Sequence, residues 1–144
     1  MASGLANTFE NDLAKLIFQA TAIANIADNA AASPLTNLQF SLHSADIGET
    51  GDQTTNEIAY TSYARVAVAR TSGGFTVTAN SVSPVANVDF PAGTGGTGTA
   101  TDFGVGTAAT LAGKVLFYGD ITPSITCGNG VTPRLTTATA MTID

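Results

Sequence analysis

The sequence predicts a mainly β fold, an antiparallel β-sandwich or flattened barrel with one N-terminal α-helix. From residue 36 onward, short apolar segments alternate with turn residues, which is the pattern of about seven or eight antiparallel strands. Only residues 1–20 carry apolar side chains at helical spacing. The 144 residues suffice for one domain, which we divide into a helix or arm (1–20), a connector (21–35) and a β-domain (36–144).

The first segment predicts an amphipathic helix that is capped by Ser3 or Asn7. Asn7 and Glu10 have the spacing of a capping box. The helix either packs on the β-domain or docks as an arm on a neighbouring subunit. Ser33-Pro34 ends any helical extension, because the residue before proline avoids helical backbone angles. The apolar stripe comprises Leu5, Phe9, Leu13, Leu16, Ile17 and Ala20.

Three segments at the start of the β-domain read as strands. Asn37–His43 alternates polar and apolar residues, which predicts a half-buried strand. Tyr60–Arg70 follows, with an alanine-rich second face that lets another chain or helix approach. Gly73-Gly74 then makes a hairpin-like turn into Phe75–Thr78. The core-facing residues of the first strand are Leu38, Phe40 and Leu42.

Two further strands are predicted towards the C-terminal half. One contains Val85, Val88 and Phe90. The last, Arg134–Ile143, is threonine-rich and completes a sheet edge in this chain or in a neighbour. Its apolar anchors are Leu135, Met141 and Ile143.

The stretch Thr99–Pro133 organises the predicted sheet. Both alternating faces of Lys114–Tyr118 are apolar, which predicts a central strand that is covered on both sides. Before it, Phe103–Gly106 alternates apolar residues with glycine, and glycines within a strand mark a bulge or a closely approaching backbone. Turns are predicted at Gly119-Asp120 and at Gly128–Gly130.

Two longer loops are predicted between the strands. Residues 44–61 form a long polar loop that we expect to be exposed, and residues 91–100 form a small-residue loop that is flexible unless a partner orders it. The predicted buried side chains are Phe40, Leu42, Val66, Val68, Phe103, Val115 and Phe117.

The charge balance argues against two classes of partner. The net charge is −6, and the five basic residues are scattered along the chain. Nucleic acids and anionic membranes bind clustered lysine and arginine, so we expect neither as a partner. No run approaches the ~18 apolar residues that span a bilayer, and the N-terminus lacks a signal-peptide pattern. We therefore expect synthesis as a soluble protein in the cytoplasm.

No catalytic constellation stands out. His43 lies beside Ser44 and near Asp46, but no nucleophile-elbow motif accompanies them. Asp102 and Asp120 are candidates to face each other, although carboxylates on loops are usually solvated. We therefore predict that the protein is not an enzyme and has no catalytic residues.

Metal and cofactor motifs are not found either. The acidic residues of the 44–61 loop lack the D-x-[DN]-x-[DN]-G core of a calcium loop. The glycine-rich segment 93–98 lacks the G-K-[ST] ending of a phosphate-binding loop. Cys127 is the only cysteine and is read as a small, semi-buried residue of a β-segment. We predict no cofactor and no metal site.

Several segments together resemble a family of small tailed-bacteriophage virion proteins that are often labelled tail-fibre-like. Some members of that family act as head decoration or cement proteins. The resemblance covers most of the chain and is carried by structural segments, not catalytic ones. These segments are Leu5–Ala20, Leu38–Gly51, Ser62–Val68, Thr97–Thr107 and Lys114–Thr126.

The resemblance implies a structural virion protein. The favoured role is a cement protein on the capsid exterior that binds the major capsid protein lattice, with self-association as a trimer or other small oligomer. Loops 44–61 and 91–100 and the chain ends are the expected lattice contacts. The alternative is a tail-fibre or tail-tip module that binds host glycans, although the sequence contains no Trp and only three Tyr.

Overall fold

The computed structural model describes residues 7–23, 26–27 and 34–143. In these ranges the chain forms one helix, α1 (Asn7–Gln19), and nine strands. The predicted mainly β, antiparallel fold with one N-terminal helix is confirmed. The strands are β1 (Asn37–His43), β2 (Val66–Ala69), β3 (Phe75–Thr78), β4 (Ser81–Pro84), β5 (Val88–Asp89), β6 (Thr97–Gly106), β7 (Val115–Gly128), β8 (Arg134–Leu135) and β9 (Met141–Thr142).

The strands form three antiparallel sheets that are not closed into a barrel, as expected for a sandwich. The largest has the order β2-β1-β6-β7, the second has the order β3-β4-β9, and the third pairs β5 with β8. Phe40 of β1 stacks on Phe75 of β3, with ring centroids 6.1 Å apart. The core therefore lies between the large sheet on one side and the second sheet with α1 on the other.

β7 lies at an edge of the large sheet, so the prediction that Lys114–Tyr118 is a central, doubly covered strand is wrong. These side chains are all partly or fully exposed. The interior positions belong to β1 and β6, and the glycines of β6 leave room for side chains on its second face. A Cβ on Gly104 would lie 2.9 Å from Oγ of Ser41, and one on Gly106 would lie 2.2 Å from Cδ of Gln53. Side chains, not a second backbone, thus fill the space beside these glycines.

The predicted turn at Gly119-Asp120 is wrong, because β7 continues through both residues to Gly128. The second predicted turn is present. The Val131 N–H donates to the Gly128 carbonyl oxygen at 3.1 Å, and Gly130 has a positive φ of 76°, which glycine adopts without strain.

α1 packs on the β-sheets of its own chain. The ring of Phe18 is fully buried and lies 4.9 Å from the ring of Phe75 and 5.2 Å from that of Phe117. Arg70, which follows β2, donates to the carbonyl oxygens of Leu16 at 3.0 Å and Ile17 at 2.6 Å. A guanidinium group therefore satisfies carbonyls at the C-terminal end of α1 and ties the helix to the large sheet.

The buried face of α1 differs from the predicted stripe. Ala14 and Phe18 are fully buried, whereas Phe9 is 37% exposed. Phe18 anchors the helix because it enters the aromatic contacts between the layers, a position that helical spacing alone does not identify. The predictions for Ser3, Leu5 and the capping side chain of Asn7 lie outside the described part of the chain. The same holds for residues 24–25 and 28–33 of the connector.

The core prediction is confirmed for the interior strands and wrong for the edges. Phe40, Leu42 and Phe103 are buried, and so is Leu38 of the same strand. Four predicted core residues are only partly buried because they lie on β2 and β7, the two edge strands. Those four are Val66, Val68, Val115 and Phe117. The largest fully buried side chains also include Phe18, Phe75 and Phe90.

Several predicted strands are shorter or pair differently. Of Tyr60–Arg70, only Val66–Ala69 forms a strand. The chain turns at Gly73-Gly74, but β3 pairs with β4 and not with β2, so no hairpin forms there. Val85 is 46% exposed between β4 and β5. Arg134–Ile143 divides into β8 and β9, which pair with β5 and β4 of the same chain. Its three anchors are all buried.

Both predicted loops are more ordered than expected. In the 44–61 loop, Ile47, Gln53 and Ile58 are buried, because the loop folds over the glycine face of β6. The 91–100 segment contributes its last residues to β6, and its glycines form bridges with Thr61 and Asn129. The expectation of an exposed 44–61 loop is therefore wrong for these three buried residues, whereas Ser44, Asp46 and Glu49 are exposed as expected.

Candidate functional site

His43 ends β1 with its imidazole ring fully buried. Its Nδ1 lies 2.8 Å from the Thr55 carbonyl oxygen, and its Nε2 lies 2.8 Å from Oγ of Ser41. A carbonyl oxygen only accepts, so Nδ1 carries the proton and Nε2 accepts from the Ser41 hydroxyl. The neighbours that the sequence pointed to, Ser44 and Asp46, are exposed and form hydrogen bonds within their own loop.

The Ser41–His43 contact has the geometry of a nucleophile and its general base. Ser41 was not among the candidate residues in the sequence, although it lies two residues before His43, where period-two alternation places both side chains on one face. Both side chains are 0% exposed, and Gly104 packs directly against them. A substrate has no access to the hydroxyl in this conformation. The role of this hydrogen bond is therefore to give each of the two buried side chains a polar partner.

Burial makes folding stability depend on the protonation of His43. Desolvation lowers the pKa of the imidazole below its ordinary value of 6.5, and the hydrogen bond to Thr55 opposes this effect. The unfolded chain then binds a proton more readily than the native one. Stability is fully present above about pH 6.5 and falls as the pH drops towards the native pKa, by at most about 1.4 kcal/mol per pH unit.

Urea unfolding between about pH 7 and pH 5 should show this loss, and His43→Gln should remove it from that window. His43 is the only histidine, so its imidazole NMR signal reports the native pKa directly. A native pKa at or above 6.5 would contradict the expectation, even if the variant fails to fold.

A buried ion pair joins Arg65, which directly precedes β2, to Glu57 of the 44–61 loop. The side chains of Arg65 and Glu57 are 3% and 16% exposed. Nε and Nη2 of Arg65 each donate to a different carboxylate oxygen of Glu57 at 2.7 Å. Nη1 donates to the Ala108 carbonyl at 2.9 Å, and Nη2 donates also to the Gln53 carbonyl at 3.0 Å. One guanidinium group therefore connects three chain segments.

Tyr63 belongs to the same cluster. Its hydroxyl donates to Oε1 of Glu57 at 2.9 Å and accepts the Leu42 N–H at 3.1 Å. Burial of the ring raises the pKa of Tyr63 far above its ordinary range, so the phenol stays protonated. Glu57, an acidic residue of the loop predicted to be exposed, is thus part of a packed polar network.

Asp102 and Asp120 lie directly opposite each other in β6 and β7. Asp102 is 5% exposed and accepts the Thr101 hydroxyl at 2.6 Å, whereas Asp120 is exposed at the sheet edge. Cys127 is 1% exposed, and burial raises the pKa of its thiol. The sequence predicted a small, semi-buried residue of a β-segment, and Cys127 is such a residue but more deeply buried. In the described ranges, no three His, Cys, Asp or Glu residues are grouped to hold a metal ion.

A cavity of about 460 Å³ opens beside an irregular part of β7. Residues 121–124, which we call the β7 bulge, face the single Thr101 of β6. The bulge forms one wall, and the segment 134–140 forms the other. The cavity residues are Phe103, Asp120, Ile121, Thr122, Pro123, Ile125, Arg134, Leu135, Thr136, Ala138, Thr139 and Ala140.

Polar and apolar groups both line this cavity. Arg134 forms a two-bond ion pair with Asp89, through Nε and through Nη2 at 3.0 Å. The guanidinium holds the pKa of the Asp89 carboxyl below its usual value. Among the described residues, no hydrogen bond engages the Asp120 carboxylate or the hydroxyls of Thr122 and Thr139. These three groups are available to a ligand.

Sequence reasoning missed this cavity because its walls come from two separate segments. In the sequence, residues 121–124 lie between the two predicted turns, and residues 134–140 lie in one predicted strand. The local signals were Pro123, which interrupts a ladder, and the run of threonines after Leu135. Neither signal indicates that the two segments meet.

No described helix is long and apolar enough to cross a membrane. Comparison with curated proteins finds no match. The family described as podophage GP4 fiber I protein gp80 matches residues 4–143, almost the whole sequence. The resemblance to tailed-phage virion proteins is thereby confirmed. The chain belongs to the podophage GP4 fiber I protein gp80 family, a family of structural phage virion proteins.

Proposed function

We propose that this protein is a structural subunit of a fibre on a podophage virion and that it performs no chemistry. The observation that carries the proposal is the family match over residues 4–143, because the family description names a fibre protein. The closed Ser41–His43 pair supports a non-enzymatic role, since its hydroxyl is fully buried.

The capsid-decoration role expected from the sequence is the second candidate. A small acidic β-domain suits it, because many weakly bound copies gain strength from a repeating lattice. The proposed lattice contact at 44–61 loses support, because that loop packs on its own chain through Gln53 and Ile58. The exposed Leu111, 79% accessible between β6 and β7, is a better candidate contact with other virion proteins or further copies.

Antibodies raised against the purified chain, imaged on intact virions by cryo-electron microscopy, test the location. We expect label at the tail, a low copy number per particle, and slower adsorption to host cells after antibody binding. Control antibodies against the major capsid protein should label the head and leave adsorption unchanged. Label across the head at the copy number of the capsid lattice, with lower heat resistance of particles that lack the protein, would replace the fibre role with decoration.

A further inference from the structure

We propose that the cavity beside the β7 bulge binds one neutral pyranose unit, as the terminal residue of a surface glycan. The inference gives the proposed fibre a ligand, and its biological use rests on the fibre role. It is carried by the shape of the cavity, by its unengaged polar groups and by its charge.

The size of the cavity fits one sugar ring. Its volume of about 460 Å³ lies within the range of small-molecule sites, roughly 300–1,000 Å³. Phe103 and Leu135, both nearly buried, supply an apolar base, and Ile121, Pro123 and Ile125 continue it along the bulge. An apolar surface of this kind suits the C–H face of a pyranose.

The polar groups match the hydroxyls of a sugar. The carboxylate of Asp120 only accepts hydrogen bonds, while the hydroxyls of Thr122 and Thr139 both donate and accept. Arg134 uses Nε and Nη2 on Asp89, which leaves the N–H groups of Nη1 as donors. Each sugar hydroxyl both donates and accepts, so it pairs with any of these groups.

The charge of the site favours a neutral ligand over an anionic one. The positive charge of Arg134 is balanced by Asp89, which leaves the carboxylate of Asp120 as the uncompensated charge at the cavity. The whole chain carries a net charge of −6. Phosphates, uronic acids and sialic acids would meet repulsion there, whereas a neutral hexose would not.

Saturation-transfer NMR on the purified chain tests the proposal. The panel contains glucose, galactose, mannose and N-acetylglucosamine, with glucuronic acid and inorganic phosphate as anionic comparators. A second arm uses polysaccharide extracted from the host envelope, which separates recognition of a glycan end from recognition of a free sugar. We expect saturation transfer from the protein to at least one neutral sugar. Binding should be stronger when that sugar is the terminal unit of a polysaccharide, which presents it in many copies.

Matched variants locate the binding. Asp120→Asn replaces a charged acceptor with a weaker neutral one, and Thr122→Val removes a hydroxyl, so each should weaken binding about tenfold. Glu49→Gln, on an exposed carboxylate of the 44–61 loop, and Thr126→Val, on the same strand outside the cavity, should bind like the unmodified chain. Amide NMR spectra of each variant verify that the fold is intact.

Three outcomes would overturn the inference: no transfer to any neutral sugar, unchanged binding by both cavity variants, or preference for glucuronic acid or phosphate. The fibre role is tested separately on virions. Antibody label at the tail without any sugar binding would refute only this inference. Sugar binding without antibody label at the tail would refute only the proposed function.

Discussion

Replacing Phe75 with alanine will lower the free energy of unfolding by about 3–5 kcal/mol. Phe75 is 0% exposed and begins β3. Its ring meets that of Phe18 edge-on at 4.9 Å and stacks on that of Phe40 at 6.1 Å. The residue therefore joins the helix and the second sheet to the large sheet, and its loss leaves a cavity between the layers. Urea unfolding followed by circular dichroism measures the change.

Phe117→Ala is the matched control for this prediction. Phe117 also contacts Phe18, at 5.2 Å, but it is only partly buried because it lies on the edge strand β7. We expect a smaller loss of about 1–2 kcal/mol, since less apolar surface returns to water. A loss as large as that of Phe75→Ala would show that the core is centred on β7, as the sequence alone had predicted.

Arg65→Met will cost about 3–5 kcal/mol, the second large effect. The variant keeps the length of the side chain but leaves the carboxylate of Glu57 buried without its cation. It also removes the donors to the carbonyl oxygens of Gln53 and Ala108. The loss should shrink when Glu57→Gln is combined with Arg65→Met, because no uncompensated charge then remains. Thermal and urea unfolding of the single and double variants measure this coupling.

Arg134→Met provides the exposed comparison. Arg134 and Asp89 form a similar two-bond ion pair, but their side chains are 53% and 45% exposed. Water solvates both charges in the unpaired state, so we expect little change in stability. Equal losses in Arg65→Met and Arg134→Met would mean that burial does not set the strength of the Arg65 pair.

Local patterns in the sequence predicted which residues of two segments face the core. The alternation in Asn37–His43 placed Leu38, Phe40 and Leu42 in the core because a half-buried strand has one apolar face. The anchors Leu135, Met141 and Ile143 were recovered for the same reason, even though their segment divides into two strands. The alternation within one strand identifies its core-facing side chains, whichever strand it pairs with.

Strand order was not predictable in the same way. Both alternating faces of Lys114–Tyr118 are apolar, yet this segment belongs to an edge strand of the large sheet. The glycine-rich Phe103–Gly106 belongs to an interior strand of the same sheet. The choice depends on Gln53 and Ser41, which fill the space beside Gly106 and Gly104 from distant parts of the chain. The cavity was missed for a related reason, because its two walls meet only after the sheets have assembled.

The order of the large sheet also has a consequence for synthesis. Ser41 and Gly104 lie on neighbouring interior strands but are 63 residues apart in sequence. β1 and β2 leave the ribosome long before β6, so the edge of β1 that pairs with β6 stays open during this interval. Such long-range pairing closes slowly, since the entropy of closing the intervening chain is lost before any contact forms. We therefore expect nascent chains of this protein to be most prone to aggregation in the interval before residue 106 emerges.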